Sequence, residues 1–106
     1  CSELLPLTDG RLLWLGNIAA APPQGNSPRY PLVIGEVDHH TGCLRRASCR
    51  IVDDRRPGEA HHLTLSNFHA REDRETGDIV LHLPRLGAGD RILHSHLFEY
   101  RFNFQV

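Results

Sequence analysis

The last nine residues, "FEYRFNFQV", alternate without a break: Phe98, Tyr100, Phe102, Phe104 and Val106 fall on one side of an extended chain, and Glu99, Arg101, Asn103 and Gln105 on the other. Successive side chains of a strand point to opposite faces, so the pattern predicts a strand with one buried and one wetted face. No window of a dozen residues carries an apolar stripe at i, i+3, i+4, i+7 free of Gly or Pro, so helix is not expected. "PLVIGEV" (31–37) and "DIVLHL" (78–83) are apolar on both faces and read as central strands covered on both sides. Between them "LRRASCRIVDD" (44–54) mixes apolar and basic residues and reads as a half-exposed outer strand. Turns are marked by "TDG" at 8–10, "HHTG" at 39–42 and "RETG" at 74–77, each bringing a Gly where positive φ is needed. The fold class is therefore all-β, built from antiparallel strand meanders.

The strands repeat. Leu15-Gly16-Asn17-Ile18 lies 50 positions before Leu65-Ser66-Asn67-Phe68, "PLVIGEV" precedes "DIVLHLP" by a similar interval, and each half closes on an amphipathic strand. A period near 50 residues made of short strands is that of a β-propeller blade. Two copies also fit the two halves of a small sandwich. The reading taken is about two consecutive blades, 8–56 and 57–106, within one unit spanning 1–106. Propellers close with typically 4 to 8 blades, so the expectation is a fragment of a larger ring, whose open strand edges and apolar faces favour self-association.

Charge and length exclude several classes. The 106 residues carry a formal net charge of −1, which gives neither a nucleic-acid footprint nor an attraction to an acidic membrane. No apolar stretch approaches the roughly 20 residues that span a bilayer, and the first residues lack the basic and apolar regions of a signal peptide; a soluble chain is expected. It begins on Cys1 without methionine, so a chain processed or excised from something longer is expected, a lipidated mature N-terminus being the alternative. Cys1, Cys43 and Cys49 form no disulfide framework, so free thiols are expected and the compartment stays open.

The stretch "NSPRYPLVIGEVD" (26–38) followed by "HLTLSNFHAREDRETGDIVLHL" (62–83) resembles the last part of a sialidase-type six-bladed propeller. "R-x-P-L-x-I" resembles the strand presenting one of that family's three carboxylate-clamping arginines, with Arg29 at the matching position. "VDHHTG", with Asp38 and Gly42, is similar to a degenerate Asp-box (BNR) turn lacking the serine and tryptophan. The resemblance implies a glycoside hydrolase or lyase acting on an acidic sugar, with the other two arginines and an acid/base aspartate on earlier blades. Where sialidases carry a catalytic tyrosine before a serine, this chain has Leu65, which offers no nucleophilic atom. The catalytic residues are therefore unknown, and a non-catalytic carbohydrate-binding or interaction module is the alternative.

Candidate ligand-binding residues follow from the same comparison and from chemistry. Arg29 could clamp a carboxylate bidentately, or serve as a structural ion-pairing residue; Pro28 and Pro31 stiffen its approach. Asn17 and Asn67 end equivalent strands and could bond sugar hydroxyls, or cap their own turns. His61 and His62 precede the second such strand and are sugar-contact or acid/base candidates, against solvated turns. His39-His40 and the triplet His94-Ser95-His96 invite a metal reading, but adjacent strand residues point to opposite faces and no metal or other cofactor is expected. Glu72, Asp73, Glu75 and Asp78 alternate with Arg71 and Arg74 and read as a charge-balanced hairpin. Trp14 could stack on a sugar ring or sit in the core. The expected partner is an acidic carbohydrate.

Overall fold

A computed structural model of the chain describes residues 2–19, 28–87 and 96–105. It is built from two antiparallel sheets with one 3₁₀ turn, Arg46–Ser48, as the helical element among the described residues. The first sheet is a four-strand meander of β1 (Ser2–Pro6), β2 (Leu12–Asn17), β3 (Leu32–Glu36) and β4 (Arg50–Asp53), in that spatial order. In the second, β7 (Ile79–Leu86) is the central strand. β5 (Thr64–Leu65) and β6 (His69–Glu72) both pair with it, and β8 (Leu97–Phe102) also pairs with it.

The two doubly apolar segments became β3 and β7, each flanked on both edges. Strand parity decides what they bury. Leu5 opposes Leu13, and Leu15 opposes Ile34, on the inner face of the first sheet. Ala70 opposes Leu81 on the inner face of the second. These residues, with Leu32, Leu63, Leu65, Phe68, Ile79, Leu83 and Phe104, form one buried cluster between the sheets. The outer faces differ. That of the first sheet is apolar: Leu4 opposes Trp14, and with Leu12, Val37 and Leu44 they line a groove of about 500 Å³. That of the second is charged: His82 Nε2 lies 3.0 Å from Glu99, and Arg101 pairs with Asp73 at 2.9 Å and Asp78 at 3.5 Å.

Three expectations need correcting. The segment 44–54 is a strand only from Arg50. Ser48 is buried, its Oγ donates to Arg45 O at 2.6 Å and accepts from Glu36 N–H at 2.8 Å, so a side chain takes over a ladder bond and the backbone coils into a 3₁₀ turn. The C-terminal strand stops at Phe102. Arg11 Nη1 donates to Phe104 O at 2.6 Å, which diverts the chain off the sheet while Phe104 stays buried. At the other end of that strand Phe98 is 44% exposed, so its apolar face is only partly covered. The first sheet also begins at Ser2, before position 8; β1 is five residues long and ends on a proline, which left it unread. Val106 and Cys1 lie outside the described residues.

One loop is built twice. Asp38-x-x-Thr41-Gly42 and Asp73-x-x-Thr76-Gly77 each close a backbone bond from the Gly N–H to the Asp carbonyl, at 2.8 and 2.7 Å. In each, the Asp carboxylate accepts from the N–H two residues on, at 2.7 and 2.9 Å, and the Thr hydroxyl from the N–H two residues on, at 3.2 Å. Gly42 and Gly77 sit at φ of 70° and 78°, where any other residue would be strained.

Gly35 has a different requirement. A Cβ there would stand 2.8 Å from Leu44 Cδ1 and 2.9 Å from Cys49 Sγ, because the 3₁₀ turn lies directly on β3. Gly35→Ala is expected to destabilise by about 1–3 kcal/mol through overpacking. Adding Leu44→Ala should recover part of that loss, as checked by thermal melts of both variants; equal melting temperatures for wild type and Gly35→Ala would refute the close contact.

Candidate functional site

Arg29 lies at the seam of the two sheets. Its backbone makes an isolated parallel bridge to Thr64, and its carbonyl accepts from Leu65 N–H at 2.9 Å. The side chain is half-buried, and Nη1 donates to Ser66 Oγ at 3.3 Å. The guanidinium thereby rims a shallow concavity of about 260 Å³ lined, among the described residues, by Arg29, Thr64, Ser66 and Asn67. One fixed cation, two hydroxyls and a carboxamide meet there, a donor-rich set suited to an anionic, hydroxylated ligand.

Asn67 reaches this concavity through a backbone irregularity. It sits at φ 56° between β5 and β6, a left-handed conformation that asparagine tolerates better than most residues. The break leaves Asn67 exposed while Leu65, Ser66 and Phe68 around it are buried. Asn17 does something else. It ends β2, and its Nδ2 lies 3.2 Å from Arg29 O, 3.2 Å from Pro31 O and 3.0 Å from Leu65 O. Its amide is committed to backbone across the seam, behind the concavity. The two asparagines, which the repeat made equivalent, hold different positions.

His61 is exposed in the turn ahead of β5, and His62 is half-buried. His62 Nε2 is buried without a hydrogen bond, and neither ring lines the concavity. So the structure brings Arg29 and Asn67 together, sets Asn17 behind them and leaves the two histidines outside. Trp14 is half-buried on the apolar outer face. Glu72 accepts from Thr8 N–H at 3.0 Å, and Asp73 and Asp78 pair with Arg101 of β8, so these acids are answered from other elements and not, as expected, by Arg71 and Arg74 of their own hairpin. Cys43 and Cys49 are free thiols. Among the described residues no three His, Cys, Asp or Glu side chains converge as a metal ion requires; His94 lies outside them.

Thr64 and Ser66 were not anticipated, since isolated hydroxyl residues at a strand end carry no distinguishing signal. A second polar constellation was missed as well. Arg85 is 2% exposed and pairs with both Asp53 and Glu59, while Tyr100 donates its phenol hydrogen to Asp53. Arg56 stands 3.6 Å from the other oxygen of Asp53. Arg55 donates to Glu59 O at 2.6 Å and lies 5.9 Å over the Tyr30 ring, next to Arg29 in the chain. A signal existed: Arg85 occupies the inward parity of Ile79, Leu81 and Leu83, a cation in a core register.

Burial pushes the Asp53 carboxyl up, but hydrogen bonds from Tyr100, Arg85 and the Asp54 N–H outweigh it and hold the group below its ordinary value. For Glu59, burial is likewise outweighed by Arg85 and the Arg56 N–H. Burial disfavours the Arg85 charge, and its two carboxylates more than restore it. Burial and then Asp53 push the Tyr100 phenol up. Because Arg85 stands on β7 and Asp53 on β4, the constellation ties the two sheets together as a brace.

No protein-family model, curated protein or solved structure matches the chain.

Each brace carboxyl releases its proton more readily folded than unfolded. The pair therefore adds stability above the ordinary carboxylate range near about 4 and loses it as pH falls through and below that range. Melting temperature is expected to drop on acidification from about pH 5. Arg85→Met leaves two carboxylates facing each other and should cost about 3–5 kcal/mol at neutral pH. Its melting temperature should rise, not fall, over the same acid interval, and parallel pH profiles of the two proteins would refute the brace.

Proposed function

We propose that the chain forms the last two blades of a sialidase-like propeller, and that its Arg29 concavity binds the carboxylate of an acidic sugar. The observation that carries this reading is the site itself: a guanidinium fixed at a seam between consecutive antiparallel meanders, rimming a concavity lined by Thr64, Ser66 and Asn67. Arginine keeps its charge at any working pH and offers paired N–H donors to a carboxylate, while hydroxyls and carboxamide suit sugar hydroxyls.

Size supports a partial site. Pockets for small ligands usually run about 300–1,000 Å³, and this one is about 260 Å³ and shallow. Other blades would supply the remaining walls. The apolar outer face of the first sheet, with Leu4 58% exposed, is the kind of surface that a neighbouring blade covers, and would drive self-association when uncovered.

Leu65 favours recognition without turnover in this chain. It is fully buried in the core cluster, so the position that matches the family's tyrosine faces inward and presents no nucleophile. The chain then acts as a carbohydrate-binding element, and any hydrolysis or lyase chemistry would rest on groups of other blades.

The test is a titration of the 106-residue chain, followed by NMR, with N-acetylneuraminate and glucuronate against glucose and N-acetylglucosamine. Weak binding of the acidic sugars alone is expected, on the order of millimolar. Arg29→Lys should weaken it roughly tenfold or more, since hydrogen bonds between charged groups contribute about 1.5–3 kcal/mol. Equal response to acidic and neutral sugars, or unchanged affinity in Arg29→Lys, would overturn the reading.

A further inference from the structure

The segment that presents Arg29 cannot be knitted to its neighbours in the usual way. Pro28 and Pro31 have no N–H, so this stretch offers its surroundings mainly carbonyl oxygens. Carbonyls need donors, and the strand beside them, β2, ends at Asn17. Its carboxamide nitrogen carries two hydrogens and faces three carbonyl oxygens, those of Arg29, Pro31 and Leu65, at 3.0–3.2 Å. At least one of its bonds is shared. Arg29 O also takes Leu65 N–H at 2.9 Å, so both of its lone pairs are engaged.

The consequence is geometric. Arg29 belongs to the approach to β3, while Thr64 belongs to β5 and Ser66 and Asn67 to the break that follows it, so the concavity exists only while the two are held in register. Asn17 touches both sides at once, Arg29 and Pro31 on one and Leu65 on the other. Leu65 lies between Thr64 and Ser66, two of the residues that line the concavity. We propose that Asn17 is a positioning residue for the Arg29 site: ligand affinity there depends on a carboxamide that does not line the concavity. The inference rests on reading Arg29 as a carboxylate clamp.

The chemistry of position 17 makes this testable with little change in volume. Asn17→Asp keeps the shape, removes both donors and sets a carboxylate against three carbonyl oxygens. Asn17→Ala removes the donors without adding repulsion, and so serves if the aspartate variant folds poorly. Affinity for N-acetylneuraminate is measured by NMR titration of the 106-residue chain, with hydrogen exchange at the Leu65 amide recorded alongside.

In the wild-type background Asn17→Asp is expected to weaken binding by tenfold or more, and Asn17→Ala by about threefold to tenfold, with faster exchange at Leu65 and unchanged exchange between β6 and β7. In an Arg29→Lys background, where precise presentation of a planar fork no longer matters, the same substitutions should cost less than twofold. Equal losses in both backgrounds would show general destabilisation and overturn the positioning role. Full affinity in Asn17→Ala would overturn it too. If Arg29→Lys itself binds as tightly as wild type, the clamp reading fails and this inference fails with it.

Discussion

A guanidinium withdrawn from water has to be answered by negative charge, and the placement of the two sheets depends on how Arg85 is answered. Its partners come from elsewhere in the chain: Asp53 from the last strand of the first sheet and Glu59 from the link that follows. Tyr100, on the strand beside β7, shares Asp53. Apolar contact between the inner faces is non-directional and would tolerate sliding. The brace does not, because its charged hydrogen bonds are directional, and losing Arg85 would leave Asp53 and Glu59 without the cation they share. Hydrophobic burial thus accounts for why the sheets meet, and Arg85 for where.

The Arg29 concavity lies on the same seam. At one part of it Asn17 and the Leu65 N–H hold the Arg29 carbonyl; nearby, Arg55 lies over Tyr30 while bonding the link that carries Glu59. A concavity between sheets has a different character from one in a loop. Its cation comes from one sheet's approach strand and its hydroxyls from the other's edge, so its shape reports the packing of the whole molecule. The cost is that a fault anywhere along the seam reaches the site.

Strands apolar on both faces were legible because burial on both sides leaves no other composition. The errors arose where one polar group interrupts a regular pattern. Ser48 replaces a ladder bond and shortens β4, Arg11 pulls Phe104 from the ladder, and Pro6 disguises β1. None of these is a periodic signal; each depends on which residue stands across the gap. The site was half legible for the same reason. Arg29 stood out between two prolines and Asn67 through the repeat, yet the hydroxyls of Thr64 and Ser66 are ordinary at the end of a strand. Asn17 was noticed for its amide, but only the fold shows that the amide faces backbone. Arg85 betrayed itself by parity, while Asp53 and Glu59 are brought to it by tertiary structure alone.

The contrast between the two outer faces sets how neighbours would be held. Against Leu4 and Trp14 a partner gains by removing oily surface from water, an attraction that salting-out ions reinforce. Against His82, Glu99 and Arg101 it must match charges, an attraction that dissolved ions screen. The two faces therefore respond oppositely to salt: rising ionic strength would loosen whatever packs on the charged face and tighten whatever packs on the apolar one.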